Sequence, residues 1–511
     1  MKFNLLALAC LALSTASSAF TLVHTNDVMG DLEPCGCRSN PQGGLPRKAN
    51  LLKRLNDTDL LQLDAGNLLF SSVTVPEPLR AQAETQAEWL LKGHTLLKHN
   101  AMTPGEKDFA LGLKTFKKLM KPSGISVLAA NLVDSKSGQP AFEKSRIYLG
   151  KTNAGRPLRV AVIGVYGDQL PLPIGLKALP AHAAVKQEIQ KLKKKSDLII
   201  VLSHQGLDAD QELAKLVNGI DLIVGGYSQS FLQTPLAVEK TLIVQSSFRN
   251  QYIGVLPLEI TLKPATYQMV GLDAGYNSPA DAPSAMDEVV KNFKHSIAEL
   301  NSREEAKLSA HSVLSGSEIK EKSFQTYSKC AECHLKQFDF WRKTEHILAY
   351  TVLLKADQAK NKECLACHTV GFAAKSGWTD VDGMAQISKN RESVISISGK
   401  KLSDYLVSVH EAAGIQSKIP SLIDGNEPIT VQESLNGIQQ SWTPVQCENC
   451  HQAGGDHPFS SGFSKKVDNL TCLKCHSPER APAWYRKDGT PDVDLITTKR
   501  GQVTCPAGDL Q

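Results

Sequence analysis

Four short stretches in the second half of the chain repeat one pattern: Cys330-Ala331-Glu332-Cys333-His334, Cys364-Leu365-Ala366-Cys367-His368, Cys447-Glu448-Asn449-Cys450-His451 and Cys472-Leu473-Lys474-Cys475-His476. Two cysteines three positions apart, followed at once by histidine, form the arrangement that attaches c-type haem. The thiols add across the vinyl groups of the porphyrin, and the adjacent imidazole supplies the proximal nitrogen to iron. The competing reading is a pair of zinc sites built from C-x-x-C knuckles. Zinc does not require a histidine at that fixed place in every repeat. The pattern therefore implies four covalently attached haems, with His334, His368, His451 and His476 on the irons.

The chain has 511 residues, enough for several domains, and a formal charge of +5 that makes no case for nucleic acid. Ferric bis-His haems add roughly −1 each through their propionates, which brings the loaded protein near neutrality. Eight of the 12 cysteines belong to the repeats; Cys10, Cys35, Cys37 and Cys505 remain. Cys10 lies in a leader: a basic start, the apolar run Leu5 to Leu13, then small residues ending at Ala19. We expect cleavage after Ala19 and an exported, periplasmic or surface protein. The leader is too short to remain as a membrane span, and no later run is long enough to make one. Cys35 and Cys37 close only a strained ring with each other. They read as a structural thiol pair, with a bridge to Cys505 or a metal or redox site at the loop mouth as alternatives.

Before the repeats, apolar strand-like runs alternate with amphipathic helical stretches. The strands are Phe20 to Val23, Leu60 to Leu63, Ile125 to Leu132, Leu158 to Tyr166, Leu198 to Leu202, Ile220 to Val224 and Thr241 to Val244. The helical stretches are Ala81 to His99, Gly112 to Lys118 and Ala184 to Lys195. This alternation predicts a layered α/β domain, with polar residues gathered just beyond the strand ends.

Those strand-end blocks resemble a binuclear metallophosphoesterase of the 5′-nucleotidase type. They are His24-Thr25-Asn26-Asp27, Gly43-Gly44-Leu45, Asp64-Ala65-Gly66-Asn67, Thr103 to Phe109, Ala130-Asn131-Leu132, Ser203-His204-Gln205-Gly206 and Gly225 to Gln229. The resemblance covers most of residues 20–265. It implies two divalent metals that share one bridging Asp and activate a water. One metal would use positions 27, 29, 67 and 229. Asp27 and Gln229 match, whereas Met29 replaces a His and Asn67 replaces the bridging Asp. The other metal would use 67, 106, 204 and 227. Only His204 matches; Glu106 replaces an Asn, Tyr227 a His, and Lys107 stands in the place of the catalytic His. A thioether and a neutral amide are poor ligands for hard cations, and an ammonium repels them. The resemblance thus implies the fold with little of the hydrolytic chemistry. The same gaps count against the related cleavage of protein-bound thiosulfonate.

Residues 277–284 read as a loop, and Thr266 to Ser284 as the boundary region. A helix follows over Ala285 to Lys307, with Met286, Val289, Val290, Phe293, Ile297 and Leu300 on one face. The expected division is a signal peptide 1–19, a phosphoesterase-like domain 20–283, a linking helix 284–309 and a haem domain 310–511. The haem domain has little room for a conventional core beside four macrocycles. Its histidines outside the repeats are His311, His346, His410 and His457. His346 lies twelve residues past His334, His410 lies between the second and third repeats, and His457 lies six residues past His451. With the closing segment Cys475 to Pro482, this layout resembles the tetrahaem cytochrome c-554 family. The resemblance implies His346, His410 and His457 as distal ligands of three bis-His haems, with the second haem open. The long insert Asp380 to Glu427 departs from the family pattern.

The expected fold class is α+β multidomain: a layered α/β sandwich, then a mostly helical multihaem cytochrome c domain. The expected role is electron transfer with redox partner proteins. The alternatives are an oxidoreductase acting on a small nitrogen or sulfur compound at an open haem, and a metal-dependent hydrolase carrying a cytochrome module.

Overall fold

The computed structural model describes residues 20–34, 41–55, 59–311, 324–372 except 332 and 342, 374, 377, 385–389, 393–396, 438–457 except 456, and 466–506 except 479, 487 and 488. The leader, Cys35, Cys37, His410 and the helical run expected over Leu402 to Ala413 lie outside the described residues. Two compact units emerge. One comprises residues up to 35, 42–74 and 90–287; the other comprises 36–41, 75–89 and 288–511.

The strands of the first unit are β1 (Thr21–Thr25), β2 (Leu60–Asp64), β3 (Ala101–Met102), β4 (Ser126–Val127), β5 (Leu132–Asp134), β6 (Ser145–Lys151) and β7 (Pro157–Tyr166). They continue with β8 (Leu176–Ala178), β9 (Leu198–His204), β10 (Leu222–Gly225), β11 (Leu236–Val238), β12 (Thr241–Val244), β13 (Tyr252–Pro257) and β14 (Gln268–Gly271). They build one sheet in the order β14-β13-β1-β2-β3-β4 and another in the order β11-β12-β10-β9-β7-β6. Strands β1 to β4 run parallel, as do β7, β9, β10 and β12.

Successive side chains on a strand point to opposite faces, and here both faces are covered. On β9, Leu198, Ile200 and Leu202 meet Leu22, Leu61 and Leu63 of the first sheet. Ile199 and Val201 turn the other way, onto Val185 and Ile189 of helix Ala181–Leu192 and Leu213 of helix Leu207–Leu216. On β1, Leu22 enters the layer between the sheets, while Val23 meets Leu51 of helix Leu45–Leu55. Burying each such side chain contributes about 1.5–3 kcal/mol. Two-sided burial explains why Leu198 to Leu202 is a continuous apolar run. The layers are helix, sheet, sheet, helix, and the parallel strands deliver His204 at the C-terminal end of β9 and Asp27, Asn67, Glu106 and Tyr227 just beyond the ends of their strands.

Three expectations need correction. Ile125 to Leu132 is not one strand but is split between β4 and β5. Asn131 breaks it: its amide donates to the carbonyls of Tyr166 (2.7 Å) and Leu179 (3.0 Å) and accepts from Tyr166 N–H at 3.0 Å. The boundary region expected from Thr266 starts too early, because β14 pairs antiparallel with β13 and extends the first sheet to Gly271. The third correction concerns the core of the second unit. A conventional apolar cluster exists there, built from Tyr327, Phe338, Trp341, Ile347, Tyr350, Leu353, Leu365, Val370 and Trp442.

The linking helix runs Ala285–His311 and buries Met286, Val289, Val290, Phe293 and Ile297. In the second unit, Gln82 reaches the helix Lys362–His368 that carries the second repeat. Its amide donates to Asn361 Oδ1 at 2.7 Å and accepts from Asn301 Nδ2 and Lys362 N–H, each at 3.0 Å. Within the insert, Ala385–Lys389 pairs antiparallel with Ser393–Ser396, and it also pairs with Ile438–Ser441 beyond the insert.

Candidate haem centres and a residual phosphoesterase site

Each repeat folds as a helical turn. His334 N–H donates to Cys330 O at 2.9 Å and His476 N–H to Cys472 O at 3.0 Å. The second repeat closes the helix Lys362–His368, and the third is the helix Cys447–His451. Residues three apart on a helix share a face, so both thiols of a repeat point one way. Among the described residues, none of the eight repeat cysteines forms a disulfide.

The sequence expected His346 and His457 to act as distal ligands, and the fold takes each to a distant repeat. The ring of His457 lies 5.9 Å, centroid to centroid, from that of His334 in the first repeat. The ring of His346 lies 6.4 Å from that of His476 in the fourth. Two metal–imidazole bonds of about 2.0 Å, back to back, place ring centroids about 6 Å apart. The second repeat shows a further mark of a metal-binding imidazole. His368 Nδ1 donates to the carbonyl of Ala349 at 2.5 Å, which leaves Nε2 as the free ligand atom and fixes the ring. The described histidines thus fit covalent haem. Bound there, haem would supply an iron of variable valence, and the His of each repeat would hold it. His311 ends the linking helix.

In the first unit, Asp27, Asn67, Glu106 and His204 converge in one buried network. Asn67 Nδ2 donates to Asp27 Oδ1 at 2.9 Å and to Glu106 Oε1 at 3.2 Å. Its own carbonyl accepts from Lys107 N–H at 3.0 Å. His204 Nε2 bonds Glu106 Oε2 at 2.8 Å, and its Nδ1 bonds Ala65 O at 2.6 Å. The other Asp27 oxygen accepts from Tyr227 N–H at 2.9 Å and Asn26 Nδ2 at 3.0 Å. Gln229, half-buried, makes no hydrogen bond in this network. Burial alone would push the His204 imidazole down; the Glu106 bond and the charges of Asp27 and Glu106 outweigh it and hold it up at about 9. Burial works against Glu106 ionisation too, but the His204 bond and charge leave its carboxyl below the usual range.

This donor set does not fit a binuclear metal centre. Asn67 offers N–H groups to the two carboxylates where a bridging carboxylate would offer lone pairs. Both His204 nitrogens are engaged, and Lys107 Nζ sits 3.8 Å from Met29 Sδ. Among the described residues no three His, Cys, Asp or Glu side chains are placed to hold a metal ion. The backbone, however, keeps the shape of a site. Asp27, Met29, Asn67, Tyr227 and Gln229 all take φ between 49° and 74°, strain of a kind that clusters at functional positions. Gly105 is required by the same crowding, since a Cβ there would lie 2.2 Å from Asn67 Oδ1.

Sequence reasoning overlooked Asn26 and the pair Glu448 and Asn449. Asn26 Oδ1 accepts from the backbone and hydroxyl of Ser246 at 2.8 and 2.9 Å, which ties the β1 end to the loop beyond β12. Its signal was only its place beside Asp27. Glu448 and Asn449 sit at the variable positions of the third repeat, where residue type carries no haem signal.

Comparison with known proteins gives both halves a family context. The family model described as cytochrome c554 and c-prime matches residues 329–390. The N-terminal half is similar to snake venom 5′-nucleotidase of Gloydius brevicauda, 27% identical over 244 residues, 44% of this chain and 40% of that protein. Human 5′-nucleotidase is 27% identical over 273 residues, 47% of this chain and 46% of its own length. An apyrase of Anopheles gambiae is 33% identical over 188 residues, 31% of this chain and 33% of its own. The chain thus spans less than half the length of these relatives. Among solved structures, a 5′-nucleotidase precursor of Thermus thermophilus aligns over 55% of this chain and 59% of that one, at 22% identity and a TM-score of 0.46. The chain therefore joins two kinds of part: an α/β unit resembling the 5′-nucleotidase type of metallophosphoesterase, and a segment resembling cytochrome c554. Among the described residues no helix is long and apolar enough to cross a membrane.

Proposed function

We propose that the chain is an exported tetrahaem c-type cytochrome that passes electrons between partner proteins, and that its phosphoesterase-like unit serves docking or support without hydrolysis. The observation that carries this reading is the pairing of imidazoles from distant repeats, His334 with His457 and His346 with His476, at separations suited to a shared iron. In this reading the eight repeat cysteines tether the haems, and His334, His368, His451 and His476 are the proximal ligands. Asp27 and Glu106 are held by Asn67 and His204, so they are not free to gather cations. A pyridine haemochrome titration and intact mass of the exported protein test the reading. Four haems per chain are expected, and two or fewer overturn it.

A second reading rests on His368. Its ring is anchored by Ala349, and the resemblance to the cytochrome c-554 family implies that the second haem keeps an open side. An open iron binds and reacts with small molecules, whereas a bis-His iron only passes electrons. This favours a redox enzyme acting on a small nitrogen or sulfur compound. Added cyanide or nitric oxide separates the two readings.

A further inference from the structure

The two variable residues of the third repeat reach out of it in different directions. Glu448 is 3% exposed. Its carboxylate accepts from Gln325 N–H at 3.0 Å, Thr326 N–H at 2.8 Å and Gly454 N–H at 2.6 Å. Gln325 and Thr326 open the helix Thr326–Ala331, whose far end carries Cys330 of the first repeat. The first backbone N–H groups of a helix have no partner within it, and here the third repeat supplies one. Gln446, the residue before the third repeat, adds to this: its Oε1 accepts from Tyr327 N–H at 2.6 Å. Thr326 holds a φ of 62°, strained for a β-branched residue, so the turn that presents its N–H is itself over-determined. Crowding fits the same picture, since a Cβ at Gly454 would come within 3.2 Å of Glu448 Oε1.

Asn449 faces the second repeat. Its Nδ2 donates to the carbonyl of Thr369 at 2.9 Å, directly after the proximal His368. Its Oδ1 accepts from Gln446 N–H at 2.7 Å, which fixes the amide in that direction. In the fourth repeat the variable Lys474 is exposed.

We propose that Glu448 and Asn449 are positioning residues for electron transfer: Glu448 locks the first haem-attachment segment to the third, and Asn449 locks the second to the third. The inference rests on the haem reading above. A haem motif is ordinarily indifferent to its two middle residues. Here those positions set the relative placement of three attachment segments, and with it the environment of the haems they carry.

The test uses the full-length, haem-loaded protein and the variants Glu448→Gln, Glu448→Asp, Asn449→Ala and, as control, Lys474→Ala. Haem content is counted first, by pyridine haemochrome. Midpoint potentials and the paramagnetically shifted haem methyl resonances are then read for each haem. Glu448→Gln is expected to keep four haems and to shift the signals of the first and third only. Glu448→Asp should shift the same pair by less. Asn449→Ala should shift the second and third, and Lys474→Ala none. Four haems with unshifted signals in Glu448→Gln overturn the role of Glu448; the same result in Asn449→Ala overturns that of Asn449. If Glu448→Gln fails to mature, Glu448→Asp decides for Glu448 on the same readout. A wild-type chain with fewer than four haems would instead remove the haem reading itself, an outcome visible before any variant is made.

Discussion

His346 and His476 face each other with ring centroids 6.4 Å apart, although the second and third repeats lie between them in sequence. In the proposed reading, the ligand that follows the first repeat serves the haem of the fourth. Changing His346 to Ala should turn one low-spin haem high-spin, and that haem should be the one bound by Cys472 and Cys475. Changing His457 to Ala should do the same to the haem bound by Cys330 and Cys333. EPR on proteins with single repeats disabled checks the assignment; a high-spin signal that tracks the wrong repeat would show the pairing to be misread.

For His368 we expect a resting spectrum with three low-spin haems and one high-spin haem that responds to cyanide or nitric oxide. His368→Met should abolish the high-spin signal and spare most of the low-spin signal. An entirely low-spin protein that ignores added ligands would assign the second iron a sixth ligand and return the chain to plain electron transfer.

The Asp27–Asn67–Glu106–His204 network predicts indifference to divalent metals. Manganese, zinc or cobalt should neither raise the melting temperature of the first unit nor bring 5′-nucleotidase or phosphodiesterase turnover. A metal that bound only the folded state at a hundred times its Kd would add about 2.7 kcal/mol of stability, an easily seen shift. Turnover at ordinary enzyme rates, lost on changing Asp27 or His204, would disprove the prediction.

His204 also makes the network sensitive to alkali. Its imidazole is held up at about 9, against 6.5 when unfolded. The folded state therefore binds the extra proton, and the contribution is fully present below pH 6.5 and lost as pH rises through about 9. It amounts to roughly 3 kcal/mol across that window. Lys48 works the other way, since burial pushes its ammonium down to about 8. The measurement is accordingly the difference in unfolding free energy between the native chain and His204→Gln. That difference should shrink between pH 6.5 and 9, and a difference independent of pH would refute the ion pair.

The strands buried on both faces were readable because continuous apolar runs such as Leu198 to Leu202 have few other structural uses. The strand-end blocks were readable because close spacing around Asp27, Asn67 and His204 survives substitution of individual residues. Other features left no local trace. Strands β3 and β4 have two residues each, too few to show a period. Gln82 belongs with Asn361 and Asn301 through side-chain amides, and no pattern near residue 82 announces partners so far along the chain. The haem motifs name each proximal histidine of the proposed reading, but the distal pairings it uses depend on where separate chain segments cross. For the same reason Glu448, conspicuous in the structure, looked like filler in the sequence.

Asn67 differs from the carboxylate it replaces by one –NH2 in place of one oxygen, and that exchange changes what the first unit needs in order to assemble. With the amide cross-bracing Asp27 and Glu106, the strand ends close on themselves as soon as the sheets form. In the proposed reading, no inorganic ion then has to be delivered to the chain at this step. On that reading maturation would wait on a single kind of cargo, the porphyrin, and metal starvation would leave half of the molecule untouched.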